Sequence, residues 1–366
     1  MRRVYLNRLE PGMILAKTIF SPSGQVLLSE GVVLNEKYIS RLNEFGVLYV
    51  FIKTPAAEST SLPETVGERT RIDCQTQVKK CFHELVKGDK ICIYDISKQV
   101  SSILDELLTH PNVIFELSHI QTHSEQTFSH SVNVCILSLL AGITLGFNQN
   151  QLRDLGIGAI LHDIGKTLLA QNILLKNKLP SGEKTNFEKH PVFGFDILRQ
   201  YNELNLLAAH IAFQHHEHFD GQGYPRGLKG HEITEFARIV AYADLYDNLT
   251  TDYLDRKGCK PWEALKKLKE SIGTKLDPEL SDAFMNNIVL YPAGSIVEMK
   301  TGEMGIVLRN SRYNLTRPVV RLVVDSNKVP LKPFIEVDLK ENRNYSIKKV
   351  YDDDDPSLPG IFRWNA

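Results

Sequence analysis

The sequence predicts a multidomain chain: an all-α helical block in the middle, a small α+β module before it and a small β module behind it. Three observations predict this. Residues 1–53 are short apolar runs broken by Pro/Gly turns. Residues 68–290 keep helical spacing, as in Ile103, Leu104, Leu107 and Leu108, and in Val132, Ile136, Leu139 and Leu140. Residues 291–350 return to short β-runs separated by turn residues. At 366 residues the chain has length for two or three domains, and its 42% hydrophobic and 24% charged content is that of a globular protein.

In the front module, Leu9-Glu10-Pro11-Gly12-Met13 and Ser21-Pro22-Ser23-Gly24 are turn signals, and the second separates two apolar runs in a hairpin-like pattern. Asn35 is placed to cap a helix over 36–45 with Gly46 as its stop, and Val47 to Ile52 reads as a buried strand. Residues 54–67 read as a linker, with two prolines and small polar residues. Residues 68–119 read as a helical lead-in to a further helical block over 120–290, within which the Gly/Pro cluster at 221–230 is a loop. The β module spans 291–351, an antiparallel sheet or barrel, and Asp352 to Asp355 opens an acidic, flexible tail over 352–366.

Several classes are excluded as expectations. A net charge of −1 gives no bulk attraction to DNA or to an anionic membrane. No uninterrupted apolar run approaches the roughly 18 residues of a membrane span, and residues 1–10 lack the apolar core of a signal peptide. Five cysteines, without a CxxC pair or a zinc spacing, read as reduced thiols, Cys135 among them as a core residue. Together these predict a cytoplasmic location.

The chemistry concentrates in the helical block. Eleven of the twelve histidines lie between 110 and 231. A lone histidine is more often structural, and His110, His119, His123, His218 and His231 are left in that class. The ordered set His130, His162-Asp163, His190, His215-His216 and Asp244 is different. His190 precedes Pro191 and so should begin a helix. Asp244 and Asp247 are three apart and can share a helix face. Imidazole and carboxylate donors without thiolate suit iron, manganese, zinc or similar divalent ions. Asp163 has two oxygens and can bridge two ions roughly 3.5–4 Å apart, the separation of two-metal phosphoesterase sites. Lys166 reaches the same side as Asp163, where an ammonium can neutralise a substrate phosphate.

This pattern resembles the HD phosphohydrolase superfamily and, more sharply, its HD-GYP domains. Leu161-His-Asp-Ile-Gly-Lys166 is similar to the HDIGK segment, and His215-His-Glu-His-Phe-Asp-Gly-Gln-Gly-Tyr-Pro225 to the HHExxDGxGYP segment; Arg226 to Gly230 and Ala237 to Asp247 continue the likeness. The resemblance covers about 120–290. It implies an HD-type helical domain and hydrolysis of cyclic dinucleotides, chiefly cyclic di-GMP, to pGpG or GMP. Carried over by position, His130, His162, Asp163 and Asp244 hold one metal, and Asp163, His190, His215 and His216 a second. Iron or manganese comes first, with zinc, nickel or magnesium as alternatives. Asp163 and Lys166 are the catalytic residues. Lys166, Gly223, Tyr224, Pro225, Asp247 and Arg256 face the substrate. Weaker likenesses link the front and rear modules to small domains that flank some HD-GYP domains.

Two departures stand out. Gln126 occupies a position where some members have a metal-binding glutamate, so two ions are expected rather than three. Leu249-Thr-Thr-Asp-Tyr-Leu-Asp-Arg256 replaces a Leu-Thr-Ser-x-Arg-Pro-Tyr-Lys stretch, with Tyr253 at the arginine, Asp255 at the tyrosine and Arg256 at the lysine. The rival readings are a weakly active or inactive module that senses the nucleotide or docks a partner, such as a diguanylate cyclase domain through the 221–230 loop, and a phosphohydrolase for another nucleotide. A homodimer is a further expectation.

Overall fold

A computed structural model describes residues 1–21, 24–54, 65–109, 115, 126–169, 186–252, 257–310, 315–352 and 355–362. The chain divides into two compact units. One comprises Met1–Thr65, Asn112–Ser124 and Ile288–Ala366; the other comprises Val66–Pro111 and Glu125–Asn287.

In the first unit, β1 (Arg2–Tyr5) pairs antiparallel with β4 (Tyr49–Ile52), and β2 (Ile19–Phe20) with β3 (Val26–Leu28). Helix α1 (Glu36–Glu44) starts at Asn35, whose Oδ1 accepts from the Tyr38 N–H at 2.9 Å. Such a cap contributes about 1 kcal/mol. The helix is followed by Gly46 at φ 67°, the left-handed position glycine adopts without a Cβ penalty. At the other end of the chain, β5 (Ile296–Met299), β6 (Met304–Arg309), β7 (Val319–Val324), β8 (Pro330–Asp338) and β9 (Ile347–Val350) form one antiparallel sheet in the order β8-β7-β6-β5-β9.

Residues from both ends of the chain fall in this unit. The Arg2 guanidinium donates to the Phe362 carbonyl. The segment expected as a flexible tail is anchored through residue 362: Leu358 and Phe362 are buried with Ile296, Met304 and Val324. The four aspartates drew the sequence reading toward solvent, while the two apolar residues beyond them decide the outcome by burial.

The second unit is helical. It comprises α2 (Glu68–Val86), α3 (Ile93–Thr109), α4 (Gln126–Thr144), α5 (Gln149–Ile160), α6 (His190–Leu198), α7 (Leu206–Gln214), α8 (Glu235–Thr250), α9 (Pro261–Ser271) and the short α10 (Ser281–Met285). The lead-in helices α2 and α3 belong to this unit. Helix α4 is its axis, with every residue from Ser129 to Gly142 buried. Among the described residues α4 is the one helix long and apolar enough to cross a membrane, but 78% of that window is buried inside the protein. Its serines, Asn133 and His130 interrupt the apolar run without adding charge, so the run-length expectation passed over it. Helix α5 opens on a capping box: Asn148 Oδ1 accepts from the Gln151 N–H, and Gln151 Oε1 from the Asn148 N–H, each at 3.0 Å.

Candidate metal centre

The donors come from five places in the helical unit. His130 lies in the first turns of α4, and His162-Asp163 in the turn leaving α5. His190 opens α6, with Pro191 behind it as the sequence predicts, and His215-His216 leave the end of α7. Asp244 lies on α8. Gly165 makes the convergence possible. A Cβ there would fall 2.0 Å from the His190 carbonyl and 2.5 Å from the Gly194 nitrogen, so only glycine lets the 3-10 turn Ile164–Leu168 lie against α6.

Four of the five rings are aimed by their Nδ1. His162 Nδ1–H donates to the Ala159 carbonyl at 2.7 Å, His190 Nδ1–H to the Phe187 carbonyl at 2.7 Å and His215 Nδ1–H to the Ala212 carbonyl at 3.0 Å. His130 Nδ1–H donates instead to Asp247 Oδ2 at 2.7 Å. For His162, His190 and His215 this leaves the Nε2 lone pair facing inward, whereas His130 Nε2 lies 3.1 Å from Asp244 Oδ1.

Asp163 sits between two sets of these nitrogens. Its Oδ2 is 3.4 Å from His162 Nε2 and 3.8 Å from His130 Nε2. Its Oδ1 is 3.4 Å from His190 Nε2 and 3.7 Å from His215 Nε2. Asp244 Oδ1 lies 3.1 Å from His130 Nε2 and 3.8 Å from His162 Nε2, and accepts from the Asn248 amide at 2.8 Å.

This arrangement fits cations. Asp163, His190, His215 and His216 each offer a ligand atom, all within 4.8 Å of one another, and His130, His162 and Asp163 form a second such group. His162 Nε2 and Asp163 Oδ1 are buried with no hydrogen-bond partner, and two inward nitrogens, His190 Nε2 and His215 Nε2, face each other at 3.4 Å. Buried polar atoms left unpaired are costly, and a bound cation satisfies several at once.

The electrostatics agree for three of the imidazoles. Burial pushes His162, His190 and His216 down, His190 to about 4, so these imidazoles are neutral donors at neutral pH. Against the cost of burial, Lys166 and His162 hold the Asp163 carboxyl well below the usual range, and His130 does the same for Asp244. Burial opposes a charge on His130 too, but Asp244 and Asp247 push it up to about 10.

The remaining predicted residues divide. The Lys166 ammonium pairs with Asp163 Oδ2 and lies 5.4 Å from the centre of the Phe187 ring. Tyr224 stacks on His216, ring centres 4.8 Å apart at 28°. Pro225 follows Tyr224 in the same loop. A Cβ on Gly223 would fall 2.2 Å from the His218 nitrogen and 2.5 Å from Glu217 Cα, so glycine alone fits that turn. Asp247 is fully buried, its oxygens taken by His130, by Asn133 Nδ2 at 2.8 Å and by Thr251 Oγ1 at 3.3 Å. It lies behind His130, not where a substrate would reach it. Arg256, with Tyr253 and Asp255, lies outside the described residues.

Three residues around the site were given no role by the sequence. Buried Glu217 accepts from the Arg226 and Leu228 N–H groups at 2.8 and 3.0 Å and so holds the 221–230 loop; its place directly after two candidate donors was the available signal. Asn133 lies one helical turn from His130, and Asn248 one turn from Asp244.

Comparison with known proteins agrees with this geometry. Residues 116–280 match the HD domain model, and residues 296–356 a KOW domain associated with HD domain. The cyclic di-GMP phosphodiesterase PA4108 of Pseudomonas aeruginosa is 33% identical over 264 residues, covering 72% of this chain and 63% of that protein. The cyclic di-GMP phosphodiesterase response regulator RpfG of Xanthomonas campestris is 36% identical over 154 residues, 41% of each chain. The 3'3'-cGAMP-specific phosphodiesterase 3 of Vibrio cholerae is 33% identical over 174 residues, 47% of this chain and 38% of that one. The chain thus spans under two thirds of the length of each of these relatives. The ordered His/Asp donors and the GYP loop, brought to one buried centre, all lie within residues 116–280, the stretch that matches the HD domain model.

Proposed function

We propose that this chain is a metal-dependent phosphodiesterase that hydrolyses cyclic di-GMP to pGpG, GMP or both, at a centre of two divalent ions. The observation that carries the proposal is Asp163: each of its oxygens faces a different pair of inward imidazole nitrogens. His130, His162, Asp163 and Asp244 would hold one ion, and Asp163, His190, His215 and His216 the other. The all-nitrogen and oxygen donor set suits iron or manganese first. Such ions, when bound, polarise a phosphoryl oxygen and lower the pKa of water. Gln126, a neutral and poorer ligand than glutamate, supports two ions rather than three; its amide nitrogen donates to the Asp252 carbonyl at 2.5 Å.

The protein's own groups supply the rest. Lys166, 22% exposed, can leave Asp163 for an equatorial phosphate oxygen as charge builds there. Tyr224 offers the ring face away from His216 to a nucleobase. Asp247 orients His130 rather than touching substrate. Arg256 is the remaining cation for the second phosphate, since Tyr253 stands where the family pattern has arginine.

Tyr253 and Asp255 favour a second reading, a centre that binds metal and nucleotide but turns over slowly. A lost charge-assisted phosphate bond costs about 1.5–3 kcal/mol, or roughly ten- to a hundredfold in affinity. Tyr253→Arg should therefore tighten binding of cyclic di-GMP by that factor. The deciding assay offers cyclic di-GMP and 3'3'-cGAMP to the protein loaded with manganese or, anaerobically, ferrous iron, and resolves the products by chromatography. Linear dinucleotide or GMP from cyclic di-GMP supports the proposal; product from 3'3'-cGAMP alone changes the substrate. No product from either, even with Tyr253→Arg and full metal occupancy, replaces the enzyme with a sensor.

A further inference from the structure

We infer that Arg71 is a positioning residue for the metal centre, acting through Asn133 and Asp247 on His130; the inference rests on the reading of His130 as a metal donor. Arg71 lies on α2, outside residues 116–280 that match the HD domain. It is 4% exposed, in a helix that otherwise buries Ile72, Cys74, Val78, Cys81 and Phe82. A guanidinium cannot shed its charge, so burial at that depth requires fixed acceptors.

Two acceptors are in place. Arg71 Nε donates to the Val66 carbonyl at 3.2 Å, and Nη1 to Asn133 Oδ1 at 2.9 Å. The far end of the same amide, Asn133 Nδ2, donates to Asp247 Oδ1 at 2.8 Å. Asp247 Oδ2 accepts from His130 Nδ1–H at 2.7 Å. Arg71, Asn133, Asp247 and His130 are all buried, so water does not substitute for a missing link.

The chain of bonds has a direction. A guanidinium only donates and a carboxylate only accepts, so the amide between them satisfies both in a single orientation. Reversed, Asn133 would aim its NH2 at Arg71 and its oxygen at Asp247. Arg71 thus fixes which end of Asn133 meets Asp247. Asn133 in turn fixes the plane of the Asp247 carboxylate, and Asp247 fixes the tautomer and tilt of His130.

The near end of the chain of bonds is equally anchored. Gly67 N–H donates to Glu106 Oε2 at 2.6 Å, and the Thr70 hydroxyl donates to Glu106 Oε1. Arg71 therefore ties the point where the chain enters the helical unit to one ring of the metal centre. The Val66 carbonyl is thus linked to His130 through the side chains of Arg71, Asn133 and Asp247.

The test is manganese binding to the full-length protein, titrated by competition with a chelator, on the parent, Arg71→Met, Asp247→Asn and the double variant. Thermal melting of each reports folding. Outer-sphere substitutions at metal sites lower affinity roughly 10–100-fold. Asp247→Asn should fall in that range for one of two classes of site, and Arg71→Met should cost about tenfold in the same class. The double variant should be no weaker than Asp247→Asn alone, because both act on one ring. Arg238→Met, which breaks the buried pair with Asp277, is the control that lowers melting temperature without lowering manganese affinity.

Parental manganese affinity in folded Arg71→Met overturns the inference, as do penalties that multiply in the double variant or an equal loss in Arg238→Met. If Arg71→Met does not fold, Asn133→Asp reports the same link. It keeps the acceptor for Arg71 but presents a carboxylate to Asp247, so it should weaken the same class of site, and parental affinity there overturns the inference. A parent that binds no manganese at all removes the metal reading beneath it instead.

Discussion

The two sides of Asp163 are held differently. On the His190/His215 side, both rings are aimed by backbone carbonyls, of Phe187 and Ala212, that belong to the turns carrying the rings themselves. On the His130 side, His162 has the same support from Ala159, but His130 is aimed by a side chain, Asp247, at the end of a buried polar chain. The first arrangement is fixed by local backbone and tolerates side-chain change nearby. The second depends on residues up to 117 positions apart and is open to adjustment from outside the site. The His130 side also has two carboxylates, Asp163 and Asp244, against one on the other.

Four substitutions sharpen or break this contrast. Asp163→Ala removes the group common to both sides; turnover should vanish and metal content fall in elemental analysis. Two retained ions would mean that the sides are independent. Lys166→Ala should leave both ions bound and slow hydrolysis by roughly 10²–10³-fold, the effect of one lost electrostatic donor in single-turnover assays. Parental rates would remove Lys166 from the mechanism.

Asp247→Asn should weaken only the ion at His130, by about 10–100-fold in chelator competition, and leave the other unchanged. An equal loss on both sides would erase the asymmetry. Tyr224→Leu removes the ring stacked on His216, a contact of about 0.5–1.5 kcal/mol. It should weaken the second ion roughly two- to tenfold in the same titration, the smallest of the four effects.

Much of this was legible before the structure. The donor set could be read because each member sits in a short motif whose neighbours fix its element. Pro191 places His190 at a helix start, and the run Ala159-Ile160-Leu161 places His162-Asp163 at a helix end. Asn35 and Gly46 delimited the first helix for the same local reason. What escaped depended on long-range partners. Asp247 looked like a substrate contact because its spacing from Asp244 shows a shared face but not which wall that face meets. Arg71 and Asn133 carry no motif, and their pairing across 62 residues is visible only once α2 lies on α4. The end of the chain was misread because four aspartates dominate the composition while Leu358 and Phe362 determine the packing.

The measurement that tests the account most directly is anomalous diffraction from crystals of the manganese- or iron-loaded protein. The account predicts two peaks roughly 3.5–4 Å apart with Asp163 between them, one facing His130 and His162, the other His190 and His215. A single peak, or a third fully occupied one liganded at Gln126, would contradict it.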